Sequence, residues 1–202
     1  MPECSIGLVP DVGGSFLLAK LPGNMGIFLG VTGKRMKASD AIYCGFADYF
    51  IPETKWKDLK KKLIETGNID WIKKFHERTE ISVIENSFSQ ISEAMVDISS
   101  KNIESRLKHP FFEKDLSALR FNSPISVAYT IIMLKMEKVR NNISDALDAE
   151  YSFTARSQEF GDFQEGIRAA VIDKDRNPLW KHKSLAEVSE KDLQPFFQTI
   201  HR

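Results

Sequence analysis

Two carboxylates stand first among the residues that could do chemistry. Glu3 and Asp11 lie eight residues apart in the opening stretch MPECSIGLVPDVGG, accompanied by two prolines and three glycines. Each proline removes an amide donor and fixes φ, while the Gly13-Gly14 pair permits backbone conformations closed to other residues. The mixture predicts an extended segment over residues 4–9, a rigid turn at Pro10-Asp11 and an entry at Gly13-Gly14 into the apolar run Phe16-Leu17-Leu18. Such a path can aim two acids at one space, one as base or nucleophile and the other to position a substrate. On residue types alone the plainer roles come first: Glu3 as a cap or surface acid, Asp11 as an Asx-type turn former. Gly13 and Gly14 could offer amides to an anion, but their simpler task is to let the chain turn into a helix.

Other chemistries find little support. His76, His109, His182 and His201 are scattered, with no Cys or carboxylate partner at metal-ligand spacing, so no metal site is expected. No GxSxG elbow, Walker loop or GxGxxG sequence occurs. Cys4 and Cys44 lack CxxC spacing and read as reduced, buried thiols. Twenty-eight basic residues balance twenty-eight acidic ones, which gives no global field for nucleic acid or an anionic membrane. No run reaches the ~18–20 apolar residues of a membrane helix. Residues 57–62 hold four lysines and one aspartate and read as a solvated helix face.

The elements that must position the carboxylates change character along the chain. Eight of the eleven glycines fall within the first 45 residues, a turn-rich stretch with short helices expected at 15–21 and 25–32. Ser39 is an expected N-cap for a helix closed by Gly45. Residues 47–51 are short, aromatic and apolar and end at Pro52, which predicts a strand. From Thr54 onward the apolar period becomes helical, with helices expected near 69–77, 88–107 and 113–121. Ser123-Pro124 is a strong helix start, running to about Arg140. Ser144 opens a further helix closed by Gly161, with Asp145, Asp148 and Glu150 favourably near its positive end. Asp162-x-x-Glu165 and Ser189-x-x-Asp192 have the form of capping boxes. The domain reading is therefore 1–53, carrying the motif, and 54–202, a helical region.

The opening motif resembles the crotonase (enoyl-CoA hydratase/isomerase) superfamily, and most closely its 3-hydroxyisobutyryl-CoA hydrolase branch. Met1-Pro2-Glu3, Ile6-Gly7-Leu8 and Pro10-Asp11-Val12-Gly13-Gly14 carry the likeness, with Val9 in place of a usual Phe. It continues through residues 29–33, 41–46 and Ser123-Pro124, and is strong again in 162–169 and in Ile172-Asp173-Lys174-Asp175 followed by Pro178 and Trp180. The resemblance implies an α/β fold, a crotonase-like spiral of β-β-α turns, of which this chain holds a mostly helical part lacking the N-terminal half. It implies Glu3 as the catalytic carboxylate and Asp11, where hydratases usually have Gly, as the acceptor of a substrate 3-hydroxyl. The implied reaction is hydrolysis of a 3-hydroxyacyl-CoA thioester, with an acyl-CoA partner and no cofactor beyond the CoA in the substrate. An enoyl-CoA hydratase or isomerase is the alternative, and a non-catalytic helical assembly piece a third reading.

The same resemblance places the oxyanion-hole amides upstream of Met1, so residues 1–202 alone are expected to be inactive. Apolar groups at Ile6, Leu8 and Val9 are then expected to lack partners and to favour a homo-oligomer by self-association. The implied compartment is the bacterial cytoplasm or the mitochondrial matrix.

Overall fold

The computed structural model describes residues 1–198, and His201 lies outside them. The described residues form α-helices joined by 3-10 turns, loops and one π-helical turn (Arg168–Ile172), with no strand among them. In chain order they are α1 (Gly14–Ala19), α2 (Met25–Thr32), α3 (Ala38–Tyr43), α4 (Trp56–Thr66), α5 (Asp70–Phe75), α6 (Val83–Asn86) and α7 (Phe88–Ala94). There follow α8 (Ile103–Arg106), α9 (Glu113–Phe121), α10 (Pro124–Lys135), α11 (Glu137–Asn141), α12 (Ile143–Thr154), α13 (Phe163–Ile167) and α14 (Glu190–Leu193).

Two compact units divide the chain: Met1–Arg35 together with Gln90–Arg202, and Met36–Ser89. The core of the first unit is built on α2 and α10. Every residue of α2 is buried, as are ten residues of α10, which is what helices apolar on all sides require. Ser123 caps α10 by accepting a bond from the Ser126 amide, and Pro124 occupies the first turn, where its missing N–H costs nothing. Helix α1 packs on α2, α10, α11 and α12. An aromatic cluster locks α12 to α10: the Phe153 and Phe196 rings stack at 4.5 Å between centroids, and the Tyr129 hydroxyl donates to the Ala149 carbonyl at 3.1 Å.

In the second unit, Asp40 on α3 is the organising side chain. It accepts bonds from the Ser82 hydroxyl (2.7 Å), the Ile84 amide (3.0 Å) and the Lys37 amide (3.0 Å). These bonds hold the start of α6 and hold the carboxyl of Asp40 below its usual range, even though burial alone would raise it. On α4, Leu59 is buried while Lys57, Lys60 and Lys61 are exposed, as expected for a solvated face.

Several sequence expectations need correction. Residues 4–9 are not extended: Glu3–Ile6 winds into a 3-10 turn, with the Ser5 amide on the Pro2 carbonyl and the Leu8 amide on the Glu3 carbonyl. Residues 47–51 form no strand. The Phe50 amide donates to His76 Nδ1 and its carbonyl accepts from the Glu77 amide, so the bonds that a ladder would use go to a loop. The helix expected over 88–107 divides into α7 and α8, with Asp97 at φ 49° between them. The helix from Pro124 stops at Lys135, where Met136 turns extended (ψ 124°) before α11. Lys37 rather than Ser39 precedes α3, and Asn142 rather than Ser144 caps α12. Asp162 makes no capping bond, whereas the Ser189/Asp192 box is present. Val9 is fully buried, and Ile6 and Leu8 are half-buried, so no bare apolar patch forms there.

One close approach sets where the opening turn lies. Gly166 on α13 meets the backbone of Ile6 so closely that a Cβ would overlap the Ile6 carbonyl. Gly166→Ala should therefore push the Glu3–Ile6 turn off α13 and destabilise the protein by roughly 1–3 kcal/mol. The urea midpoint of the variant checks this, and an unchanged midpoint would contradict the packing described.

Candidate active site

The side chain of Glu3 sits on the first residue of the 3-10 turn, half-buried, while its neighbour Cys4 is fully buried. Cys4 anchors the turn. Its thiol contacts the Gly30 carbonyl and Thr130 Oγ1, its carbonyl accepts from the Ser123 amide at 2.9 Å, and burial pushes its pKa up to about 12. A thiol so held is a packing group rather than a nucleophile.

Glu3 Oε2 is buried without a hydrogen-bond partner. The pKa of Glu3 is raised, first by burial, and the negative charges of Asp11 and Glu150 push the same way against a pull from its own backbone amide. Three carboxylates therefore share one neighbourhood. A carboxylate that is short of solvation and has an unused oxygen is more basic than one in water, the state that a base or nucleophile needs.

Asp11 is half-buried and begins a turn closed by its backbone, with the Gly14 amide bonded to the Asp11 carbonyl at 2.7 Å. The expected Asx-type turn is not formed by the side chain. Among the described residues no hydrogen bond engages the Asp11 carboxylate, which leaves it free to accept one. The chain reverses after it through Val12 (φ 55°) and Gly13 (φ 81°). For a β-branched residue such a φ is strained, at a cost of roughly 1–3 kcal/mol, and Val12 is 89% exposed.

The amides of this turn do meet an anion, and it comes from the chain itself. Glu150 on α12 is 3% exposed and accepts from the Gly13 amide (2.9 Å), the Ser15 amide (3.0 Å) and the Ser15 hydroxyl. The sequence suggested helix-start electrostatics for Glu150, but the residue lies mid-helix on the buried face with Ala146, Ala149 and Phe153. That spacing of three, four and seven was the signal that could have found it.

Residues 162–169 support the turn from behind. Asp162 accepts from the Ser123 hydroxyl (2.6 Å) and from the Lys181 amide (2.9 Å). Arg168 forks onto Glu165 and also pairs with Asp173 and Asp175, which fixes the loop after α13. A hollow of about 180 Å³ lies beside Ser5, Ile6, Gly166 and Pro178, too small for a CoA ester. Among the described residues, no group of three or more His, Cys, Asp or Glu side chains is arranged to hold a metal. None of the helices described is long and apolar enough to cross a membrane.

The chain has relatives among known proteins. The enoyl-CoA hydratase/isomerase family profile matches residues 1–197, and the chain belongs to that family. Mitochondrial 3-hydroxyisobutyryl-CoA hydrolases of Gallus gallus and Homo sapiens are 34% and 32% identical to it, each over 99% of this chain and 55% of their own length. The chain thus spans about half the length of these relatives. Among solved structures, an enoyl-CoA hydratase from Rhodobacter sphaeroides superposes with a TM-score of 0.91 at 40% identity, covering 99% of this chain and 59% of that one. A carnitinyl-CoA dehydratase from Mycobacterium thermoresistibile gives 0.90 at 29% identity, covering 99% and 58%. These neighbours support the crotonase fold, although the expected α/β spiral has no strand among the described residues.

The raised pKa of Glu3 has a consequence for stability. The folded state holds the Glu3 proton more tightly than the unfolded chain does, so ionised Glu3 costs stability. That cost is fully present above the folded pKa and absent below the ordinary glutamate range. Glu3→Gln should therefore raise Tm at neutral pH. The gain should shrink to nothing as pH falls through the glutamate range. Thermal melts across pH check this, and a variant less stable than wild type at neutral pH would contradict it.

Proposed function

We propose that this chain, together with the remainder of the family fold, forms an acyl-CoA thioester hydrolase acting on 3-hydroxyacyl-CoA. The narrowest substrate we infer is 3-hydroxyisobutyryl-CoA, of valine breakdown. The observation that carries the reading is Glu3, a carboxylate of raised basicity with one buried, unpartnered oxygen, in the same neighbourhood as Asp11. The names of the hydrolase relatives support the same chemistry. Those relatives are named as mitochondrial, which favours the matrix as the compartment.

Two routes use Glu3. In one, its carboxylate attacks the thioester carbonyl and CoA leaves as the thiolate. Water then hydrolyses the resulting anhydride, splitting one hard step into two easier ones. In the other, Glu3 takes a proton from a water that attacks the carbonyl directly. Both release CoA and a 3-hydroxy acid, and neither needs a cofactor. Asp11, with its carboxylate unengaged, accepts the substrate's 3-hydroxyl. The donors for the tetrahedral oxyanion come from the part of the fold outside residues 1–202.

A second reading, an enoyl-CoA hydratase or dehydratase, is favoured by the titles of the two structural neighbours. Asp11→Gly separates the two in the protein carrying the whole fold. The hydrolase reading expects a selective loss of about 10- to 100-fold toward 3-hydroxyacyl esters, since an unpaired buried hydroxyl costs ~1–3 kcal/mol. Esters without the hydroxyl should lose far less. In the same assay, Glu3→Gln should lower kcat by several orders of magnitude. An equal loss on both ester types after Asp11→Gly, or a wild-type protein that only hydrates enoyl esters, would reject the hydrolase reading.

A further inference from the structure

Glu150 has a feature that the proposed chemistry does not use. Its carboxylate is buried, and among the described residues its three hydrogen-bond donors come from Gly13 and Ser15. A buried charge satisfied by dipoles alone is unfavourable to retain unless those dipoles must be held in place. Position 13 explains why they must. Its φ of 81° suits glycine, so the N-cap of α1 has no side chain with which to cap the helix. The cap is delegated to a residue 137 positions along the chain.

The frame behind Glu150 is rigid. The Tyr129 hydroxyl is bonded to the carbonyl of Ala149, and Phe153 stacks on Phe196. At the far end of α1, Arg140 Nε donates to the Ala19 carbonyl at 2.9 Å. Helix α1 is thus fixed at both termini, by an anion at its positive end and a cation at its negative end. The strained Val12 and the free carboxylate of Asp11 hang from the clamped end.

We propose that Glu150 is a positioning residue: its grip on Gly13 and Ser15 holds the Asp11–Val12 turn in the geometry that receives the substrate's 3-hydroxyl. This rests on the reading of Asp11 as the hydroxyl acceptor. Glu150→Gln tests it in the protein carrying the whole fold. The substitution keeps the volume, but turns an acceptor oxygen into an NH₂ group facing N–H donors.

The readout is kcat/KM for a 3-hydroxyacyl-CoA divided by that for the matching ester without the hydroxyl. Glu150→Gln should lower this ratio at least ~10-fold, and Ser15→Ala, which removes one donor of three, should lower it by a smaller factor. Amide exchange should quicken across residues 11–18 while residues 124–135 stay protected. If Glu150→Gln folds poorly, Ser15→Ala carries the test. An unchanged ratio overturns the proposal even where both rates fall, because a uniform loss is what a purely structural role gives. A wild-type protein without hydroxyl preference fails the reading of Asp11 instead. Glu150 is then judged on exchange, and unchanged protection over residues 11–18 overturns its positioning role.

Discussion

A single turn, residues 11–15, is held by a buried carboxylate from the other end of the chain. Glu150 reaches from the middle of α12 to two amides and a hydroxyl that no local residue satisfies. Unmade backbone bonds in a buried helix start are expensive, and a charged acceptor makes the stronger kind of bond. Because α12 is in turn tied to the apolar helix α10, the position of Asp11 is inherited from the core of the unit and not from the loop itself. The strained φ of Val12 persists for the same reason: its surroundings are fixed on the far side.

The neighbouring turn obeys a different constraint. Glu3–Ile6 is held by close backbone packing, with Cys4 buried beneath it and Gly166 leaving no room for a side chain behind Ile6. Packing of this kind fixes a carboxylate without providing donors to it, and so Glu3 Oε2 remains unpartnered. Like charges nearby add to the effect. One acid is left basic and available, while a second acid of the same neighbourhood accepts three bonds from the turn it holds. Different surroundings thus give chemically identical groups different tasks, the general way in which a fold separates roles among carboxylates.

Much of the helical skeleton was legible in the sequence. The run 25–32 is apolar up to its last residue, Thr32, and bounded by Asn24 and Gly33, and it folds as α2 with those bounds. Residues 113–121 also match α9, and Ser123-Pro124 starts α10 because Ser123 accepts from the Ser126 amide while Pro124 has no N–H to leave unpaired. Some cap positions and helix ends were missed locally, and the larger failures depended on distant partners. Residues 4–9 and 47–51 have strand-like composition, but a strand needs a ladder that sequence periodicity does not supply. Asp162 looked like a local cap and instead binds Ser123 and the Lys181 amide. The motif around Glu3 and Asp11 was found from its residues, whereas Glu150 was hidden because its donors lie at the other end of the chain.

In the proposed reaction one carboxylate of this turn-rich segment meets the acyl carbonyl and the other the acyl hydroxyl. A crystal structure of the Glu3→Gln protein, carrying the whole fold and bound to a 3-hydroxyacyl-CoA, tests it most directly. In that complex the thioester carbonyl carbon should lie within about 3–3.5 Å of the residue 3 side chain, the spacing of a near-attack geometry. The 3-hydroxyl should lie within hydrogen-bond reach of the Asp11 carboxylate. An acyl group bound away from both side chains would contradict it.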